Sequence, residues 1–532
     1  MSREECKAIQ TEKMTVAELV YDIYFAIMLF AKGIGLYEGQ AAYNLILVAG
    51  TLLIFIKILL TQHSVYEYIW MALLSLLSLV VYKNSGEKGL IIYTLMLIGV
   101  KGVSVKRLFA IGAVIWTGCF FIMHFLTMTG VVPDVFLIHD KLGLGYLLRW
   151  SFGYPHPNVL HISYVVMLIF LLYMVRDDKQ KLRSWTIVGF LGNLYVFLFS
   201  LSYTGVILAT LYLILNYYFC TRRSFTCLEK WLINLVFPVC VVFSIIGPLV
   251  IRGRLFDLID KMINTRFSLS KYFLETQPIT LLGTYMDVPN YRYTLDCSYT
   301  YAFMHYGVIP FLLICIGYVL LIRNCLKENK RKELAVILGL AIAGITEPFL
   351  FNTSYKNPAF LFMGAYLFTL SAHIVSRLPS IFGKQIQCLK VGNRSITIGS
   401  AKQEQKETVS SGFTGKERRT LIILFLAAAV IAGGIYGFTV QMPESIYVPD
   451  SIADDIDNEP DYLTQEEIDS IAEEGAWVMA YYGEQERMYR YEGTIITVEY
   501  IRGIVRTGVW TGGIVTCLAA IFLHHRKRSA II

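Results

Sequence analysis

The chain has 532 residues, of which 55% are hydrophobic, 14% aromatic and only 16% charged, and its formal net charge is +7. This composition supplies too little polar surface to coat a soluble domain, so it excludes an ordinary soluble protein and makes the lipid bilayer the solvent. The ten cysteines show neither CxxC nor any Cys/His ligand spacing, so we predict no disulfide framework and no metal site.

Apolar stretches recur along almost the whole chain. A helix of about 20 apolar residues crosses the hydrocarbon core of a bilayer, and helices satisfy their own backbone polar groups there. We therefore predict an all-α, polytopic integral membrane protein with about fourteen transmembrane helices. The predicted spans cover residues 16–32, 41–60, 65–82, 88–103, 107–129, 159–175, 185–201, 204–220, 231–251, 300–322, 333–350, 358–376, 420–440 and 507–523. The first lacks a small-residue cleavage site, which favours a retained helix over a signal peptide.

The basic residues concentrate in alternate connections between these spans. Because cytoplasmic loops carry an excess of Lys and Arg, this bias places both termini on the cytoplasmic side. It leaves the three long connections 130–158, 252–299 and 441–506 on the outer side. The basic groups lie at residues 101–107, 176–183, 222–230, 323–332, 377–419 and 526–528.

A composition shift after about residue 376 divides the chain. Residues 1–376 form a predicted membrane domain of about twelve transmembrane helices with the outer loops 130–158 and 252–299. Residues 377–419 form a basic cytoplasmic linker, within which 383–415 is predicted to be flexible. Residues 420–532 form a helix pair that flanks the acidic outer segment 441–506, where Thr464-Gln465-Glu466-Glu467 is typical of a capping box.

The first outer loop contains Arg149-Trp150-Ser151-Phe152-Gly153 and then His156-Pro157-Asn158. An outward arginine runs against the positive-inside bias, and a guanidinium pairs well with phosphate oxygens. Arg149 is therefore a candidate for binding a diphosphate. His156 can act as a general base near neutral pH, although a lone loop histidine is more often structural.

The second outer loop opens with Arg252 and Arg254, continues through an amphipathic stretch predicted to lie on the membrane surface, and reaches Arg266. These arginines are further candidates for phosphate binding. The alternative is that they contact lipid headgroups or pair with Asp257 and Asp260.

Two carboxylates, Asp296 and Glu347, lie at the mouths of predicted spans. Carboxylates at membrane depth are costly, so they are more often functional or paired than idle. For Glu347 the alternative is a hydrogen bond to its neighbours in Gly344-Ile345-Thr346-Glu347-Pro348.

Several catalytic motifs are absent from the sequence, namely GxxxxGK[ST], HExxH and GxSxG. Nucleotide hydrolysis, zinc proteolysis and serine hydrolysis therefore have no signature. We expect no cofactor and no nucleic-acid partner, and any sugar donor should be carried by lipid.

Residues 20–376 resemble the O-antigen and capsular polysaccharide polymerases (Wzy type), which are related to the O-antigen ligases. The family has an Arg-aromatic-Ser-Phe-Gly element followed by His-Pro-Asn, similar to residues 149–153 and 156–158. Its other elements are similar to Arg266, Leu282-Gly283, Asp296-Cys297-Ser298-Tyr299 and Tyr306-Gly307. The family's Ser-Arg-Thr/Ser-Gly element appears as Ser202-Tyr203-Thr204-Gly205 and Cys297 replaces the usual Asn, which leaves substrate specificity open.

The resemblance implies a GT-C-like membrane bundle in the bacterial cytoplasmic (inner) membrane. Such an enzyme is a metal-independent glycosyltransferase that moves a glycan from undecaprenyl diphosphate to another lipid-linked repeat unit on the outer face. It implies that Arg149 and Arg266 hold the diphosphate and that His156 or Asp296 takes the proton of the acceptor hydroxyl. The implied substrate-binding residues are Asn158, Arg252, Arg254, Gly283, Tyr299 and Glu347.

The expected partners are the lipid-linked oligosaccharide, the bilayer, a chain-length regulator that contacts the acidic segment, and a flippase. A ligase that uses the same donor is the nearest alternative. A flippase or other transporter would require polar residues inside several spans, whereas these spans are mostly apolar at their centres. Only the acidic segment would support a function as a receptor or scaffold.

Overall fold

The computed structural model describes residues 13–140, 143–175, 178–289, 293–397, 413–449, 461–473, 475–479 and 485–529. The helices up to the second outer loop are α1 Val16–Gly33, α2 Ala41–Leu60, α3 Val65–Ser85, α4 Gly89–Gly99, α5 Val105–Met128, α6 Pro157–Met174, α7 Lys179–Ser200, α8 Tyr203–Thr221, α9 Cys227–Ile245 and α10 Gly247–Val250. The later helices are α11 Arg254–Met262, α12 Arg266–Thr276, α13 Ser298–Tyr306, α14 Val308–Lys327, α15 Arg331–Ala343, α16 Ala359–Val375, α17 Ser380–Gly383, α18 Gly415–Thr439, α19 Gln465–Glu473 and α20 Thr494–Ser529.

The strands are short. They are β1 Lys13–Thr15, β2 His63–Ser64, β3 Phe136–Asp140, β4 Tyr146–Trp150, β5 Gln385–Ile386, β6 Ser395–Thr397, β7 Ile446–Pro449, β8 Asp461–Thr464, β9 Trp477–Val478 and β10 Gln485–Tyr491. They pair as β1 with β6, β2 with β5, β3 with β4, and as a four-stranded sheet of order β8-β10-β7-β9.

The protein is an all-α polytopic membrane protein, as predicted. Among the described residues, ten helices are long and apolar enough to cross a membrane. Each predicted span overlaps a helix, but four of these helices are too short or too charged to count among the ten. Helix α1 carries three charged residues, and α4, α15 and α16 have 11, 13 and 17 residues. The count of fourteen spans and the GT-C-like arrangement therefore stay predictions.

The predicted span 333–350 ends as a helix at Ala343. Glu347 takes an extended conformation, with φ −134° and ψ 139°, because a residue before proline is disfavoured in the α region. The connection 344–358 between α15 and α16 is therefore non-helical backbone apart from one short 3₁₀ turn at Pro348–Leu350. This connection carries two residues of the candidate site.

The described residues form two compact units. The first takes its residues from Met1–Pro133, Asn158–Phe197 and Ser202–Ser400, and the second from Asp134–Pro157, Leu198–Leu201 and Ala401–Ile532. The second unit thus combines the first outer loop with the C-terminal helix pair and its acidic segment.

Three helices of the first unit, α1, α3 and α9, begin with capping boxes whose glutamates also meet basic side chains. Glu18 pairs with Arg107 at 3.0 Å, Glu67 pairs with Lys101, and Glu229 lies 3.4 Å from the Arg222 guanidinium. Each glutamate therefore satisfies a helix N-terminus and contacts a basic side chain from elsewhere in the unit, which is Arg107 of α5 for Glu18 and a residue of a connection for the other two.

Part of the predicted flexible linker is ordered, which corrects that prediction. Strand β5 pairs with β2 and β6 pairs with β1, both antiparallel, and the Leu389 amide donates to the Leu59 carbonyl at 2.9 Å. Composition missed this pairing because short edge strands need only backbone groups and no apolar side chains. Residues 398–412 of the predicted linker lie outside the described residues.

In the second unit, β3 and β4 form an antiparallel hairpin with Phe136 opposite Trp150. Its apolar side chains share one buried core with the C-terminal sheet and the start of α20.

Helices α18 and α20 pack closely, and a Cβ at Gly508 would lie 2.7 Å from the Ala429 carbonyl oxygen. The predicted capping box is confirmed, since the Thr464 amide donates to Glu467 at 2.7 Å and the Glu467 amide donates back at 3.4 Å.

Candidate functional site

Arg266 is the first residue of α12 and is only 5% exposed. The two preceding residues, Asn264 and Thr265, have φ of 53° and 63°, so the chain makes a tight turn that directs the arginine inward. Its Nε donates to the Thr346 carbonyl, and its Nη1 donates to the Ile263 carbonyl at 3.2 Å. The backbone therefore fixes the guanidinium from two sides.

The two carboxylates singled out in the sequence meet this guanidinium. Arg266 Nη2 lies 3.5 Å from Asp296 Oδ2 and 3.7 Å from Glu347 Oε1. The Asp296 side chain is 35% exposed, whereas that of Glu347 is 7% exposed. The arginine thus has one buried and one partly open anionic neighbour, and we call Arg266, Asp296 and Glu347 the Arg266 cluster.

Thr204 joins the cluster from α8, because its Oγ1 donates to Glu347 Oε1 at 2.9 Å. Ser202 caps the same helix by accepting from the Gly205 amide at 3.3 Å. Sequence reasoning passed over Thr204. The available signal was that Ser202-Tyr203-Thr204-Gly205 keeps the hydroxyl of the family element where it loses the arginine.

The connection 344–358 holds Glu347 in place. Ser298 Oγ donates to the Glu347 carbonyl and accepts from the Leu350 amide at 3.2 Å, and the Ser298 amide donates to the Gly344 carbonyl at 2.8 Å. Burial raises the pKa of Glu347 to about 7, while the positive charge of Arg266 opposes this rise. The carboxyl therefore titrates near neutral pH.

Lys356 is a cation of this connection that sequence reasoning missed. It is 6% exposed and follows Tyr355, which has a positive φ of 58°. Burial lowers the pKa of Lys356 to about 8, and the charge of Glu347 acts against that decrease. The pattern offered little signal, because a lysine in a polar connection usually points to solvent.

Gly283 and Tyr299 have packing contacts. Gly283 has φ of 81°, and a Cβ there would lie 2.2 Å from the His305 carbonyl oxygen, so only glycine fits. Tyr299 is fully buried, and its hydroxyl donates to the Ala341 carbonyl at 2.6 Å. Their predicted contact with a substrate stays a prediction.

Arg252 and Arg254 are exposed at the start of α11. This helix is amphipathic as predicted, and its apolar side chains Leu255, Leu258 and Met262 are exposed, as in a helix that lies in a membrane interface. Asp260 does not depend on these arginines for a partner, since its Oδ1 accepts from the Ser268 amide at 2.8 Å.

Arg149 belongs to the second unit, where it lies in β4 and is buried. Its Nε donates to the Ser200 carbonyl at 3.1 Å. The element that follows forms a tight turn, since Phe152 has φ of 49° and the Gly153 amide donates to Asp134 at 3.0 Å. Burial raises the pKa of the Asp134 carboxyl to about 6, against the backbone hydrogen bonds that it accepts.

His156 ends the same loop, and Asn158 lies in the first turn of α6; both are half-buried.

Of the residues singled out in the sequence, the structure brings together Arg266, Asp296 and Glu347 in the first unit. The prediction that Arg149 and His156 act on the same substrate stays a prediction.

The Arg266 cluster can bind an anion by exchange. A guanidinium that already faces a partly open carboxylate can take a phosphate oxygen in its place, and the released carboxylate can accept a proton. Comparison of the chain with protein-family models, with curated proteins and with solved structures finds no match.

Proposed function

We propose that this protein is a membrane glycosyltransferase that polymerises lipid-linked repeat units. The donor is a glycan on undecaprenyl diphosphate, and the acceptor is a hydroxyl of another lipid-linked unit. The observation that carries the proposal is the meeting of Arg266 with Asp296 and Glu347, three residues that lie far apart in the sequence. The resemblance of residues 20–376 to the O-antigen and capsular polysaccharide polymerases supplies the reaction.

In this proposal the diphosphate displaces Asp296 from the Arg266 guanidinium. The acceptor hydroxyl oxygen attacks the anomeric carbon, the bond from that carbon to the diphosphate oxygen breaks, and its electron pair goes to the diphosphate. Asp296 takes the hydroxyl proton, and Arg266 stabilises the charge on the departing oxygen. A diphosphate leaves without a proton, so the reaction does not need the two carboxylates of a glycosidase.

Glu347 has a separate part in this scheme. It is buried and held by Thr204, so it stays beside Arg266 when Asp296 is displaced. Without it the guanidinium would have only the partly exposed Asp296 as an anionic neighbour before the donor arrives, and a buried charge without a close partner is costly once Asp296 is displaced. Lys356 balances Glu347 from within the same connection.

The proposed location is the outer face of a bacterial cytoplasmic membrane, with both termini in the cytoplasm. The chain-length regulator and the flippase remain its proposed partners. The resemblance also implies that Arg149 binds the diphosphate and that His156 is an alternative base.

A strain that lacks the gene tests the proposal. Complementation with the wild-type chain should restore polymer, whereas Arg266→Ala should leave single lipid-linked units that face outward. Arg223→Ala is the matched control, because that arginine is exposed and lies outside both the cluster and the predicted substrate-binding residues. Full-length polymer that is not attached to its final acceptor would indicate a ligase instead, and units that accumulate on the inner face would indicate a flippase.

A further inference from the structure

The C-terminal helix α20 reaches the strand that carries Arg149. Arg502 is 1% exposed, and its Nη1 donates to the Leu148 carbonyl at 2.8 Å. Its Nε donates to the Leu198 carbonyl at 2.7 Å. One guanidinium thus joins the backbone of β4, one residue before Arg149, to the end of α7.

Glu499 completes this arrangement one turn earlier on α20. It pairs with Arg502 Nη1, and its Oε2 accepts from the Trp150 indole at 2.9 Å. The residues on both sides of Arg149 in the chain, Leu148 and Trp150, are therefore held by this pair.

Arg149 makes a second link between β4 and the end of α7 within the second unit. Its Nε donates to the Ser200 carbonyl, two residues after the Leu198 carbonyl that Arg502 binds. The backbones of β4 and of the end of α7 are thus joined twice, once by Arg149 itself and once by Arg502. A shift of Arg502 would change the distance that Arg149 has to bridge.

Stability alone does not account for this buried pair. A buried ion pair is often no more stabilising than apolar side chains of the same volume, and Arg502 Nη2 has no hydrogen-bond acceptor in the described part of the chain. The apolar core that the hairpin shares with the C-terminal sheet already holds these elements together, but hydrophobic contact has no preferred direction. Hydrogen bonds have a preferred geometry, so those that the pair makes with two carbonyls and an indole fix the orientation of the strand.

We propose that Glu499 and Arg502 are positioning residues that set the place of the Arg149 guanidinium. The inference rests on the proposed function, in which Arg149 binds the donor diphosphate. It assigns to the last helix pair a part in donor binding, although that pair lies outside the region that resembles the polymerases.

The test uses the full-length protein in proteoliposomes with an undecaprenyl-diphosphate-linked oligosaccharide as donor. Lysine keeps the charge of Arg502 but cannot bridge two carbonyls and a carboxylate. Arg502→Lys should raise the KM for the donor roughly 10- to 100-fold, with a smaller effect on kcat. The control Arg490→Lys changes another arginine of this unit, whose pairing with Glu492 is exposed, and should leave the KM unchanged.

A double variant separates positioning from general destabilisation. In an Arg149→Ala background, Arg502→Lys should cause no further loss of transfer, because the group that it positions is already gone. Losses that multiply would overturn the inference.

Hydrogen exchange provides a readout that needs no activity. Amides of residues 146–150 should exchange at least about fivefold faster in Arg502→Lys, while those of Ser298–Tyr306 in the first unit stay unchanged. Unchanged exchange in the hairpin would also overturn the inference. If the wild-type protein transfers no glycan, the proposed function fails, and the exchange result alone decides whether Arg502 orders this strand.

Discussion

Two buried arginines of this protein face carboxylates in different settings. Arg266 meets one buried carboxylate and one that is 35% exposed, whereas Arg502 meets a single buried carboxylate and two backbone carbonyls. The first arrangement has an anionic neighbour that a ligand can replace. The second has only partners that belong to the fold. Under the proposed function, exposure of the partner, more than burial of the arginine, distinguishes a binding site from an ion pair that only holds the fold.

The largest effect is expected at Arg266. Arg266→Ala should lower the rate of transfer in proteoliposomes by about 10³-fold, because it removes the group that stabilises the departing diphosphate in the proposed reaction. Arg266→Lys should recover only part of the rate, since an ammonium lacks the bidentate fork. Equal rates for Arg266→Ala and wild type would remove the distinction between the two arginines.

Asp296, the partly exposed carboxylate of the Arg266 cluster, should affect the chemical step more than folding. Asp296→Asn should lower kcat by about 10²-fold while the temperature of unfolding stays close to that of the wild type. The matched control is Asp257→Asn, on the exposed helix α11. A large fall in unfolding temperature with little change in kcat would make Asp296 a structural partner like Glu499.

The buried carboxylate should give the transfer rate a pH dependence. The pKa of Glu347 is raised to about 7, so the carboxylate that compensates Arg266 is formed only as the pH rises through that value. Transfer should therefore fall as the pH drops from 8 to 6 by up to about 10-fold. Glu347→Gln should abolish this inflection, and an unchanged profile in that variant would assign the titration to another group.

The buried pair of Glu499 and Arg502 should affect stability instead of the transfer rate. Arg502→Met should destabilise the second unit by about 3 to 5 kcal/mol, because it leaves Glu499 as a buried, uncompensated charge. The double variant Glu499→Leu with Arg502→Met should recover much of that loss, since it buries no charge. Thermal unfolding of the detergent-solubilised protein measures both, and a double variant as unstable as the single one would contradict this account.

The smallest effect is expected at Ser298, which holds the connection that carries Glu347. Ser298→Ala removes a hydroxyl that donates to the Glu347 carbonyl and accepts from the Leu350 amide, and should cost about 1 to 2 kcal/mol. The transfer rate should fall only a few-fold. A loss as large as that of Arg266→Ala would mean that the connection itself is part of the reaction site.

Much of this architecture was predictable from the sequence, because long apolar stretches can do little but form helices in a bilayer. The end of α15 was missed, although Glu347-Pro348 carried the local signal for it. Asp296 and Glu347 were found from the cost of a carboxylate at membrane depth, and Arg266 from an outward position that runs against the positive-inside bias. Their meeting, and the part of Thr204, depend on contacts between residues about 30 to 140 positions apart, which no local pattern encodes.

The second unit was the least predictable region. Arg502 is one basic residue in a long helix, and sequence alone does not distinguish a buried arginine from an exposed one. The contact of the first outer loop with a segment more than 300 residues later likewise leaves no periodic pattern in the sequence.

The most direct test of the central claim is polymerisation by the purified chain. Wild-type protein in proteoliposomes that contain only undecaprenyl-diphosphate-linked repeat units should produce glycans longer than one unit and release undecaprenyl diphosphate. The Arg266→Ala variant, folded as judged by its unfolding temperature, should produce neither. Polymer formed equally by both proteins, or diphosphate release by neither, would contradict the claim that the Arg266 cluster binds the departing diphosphate.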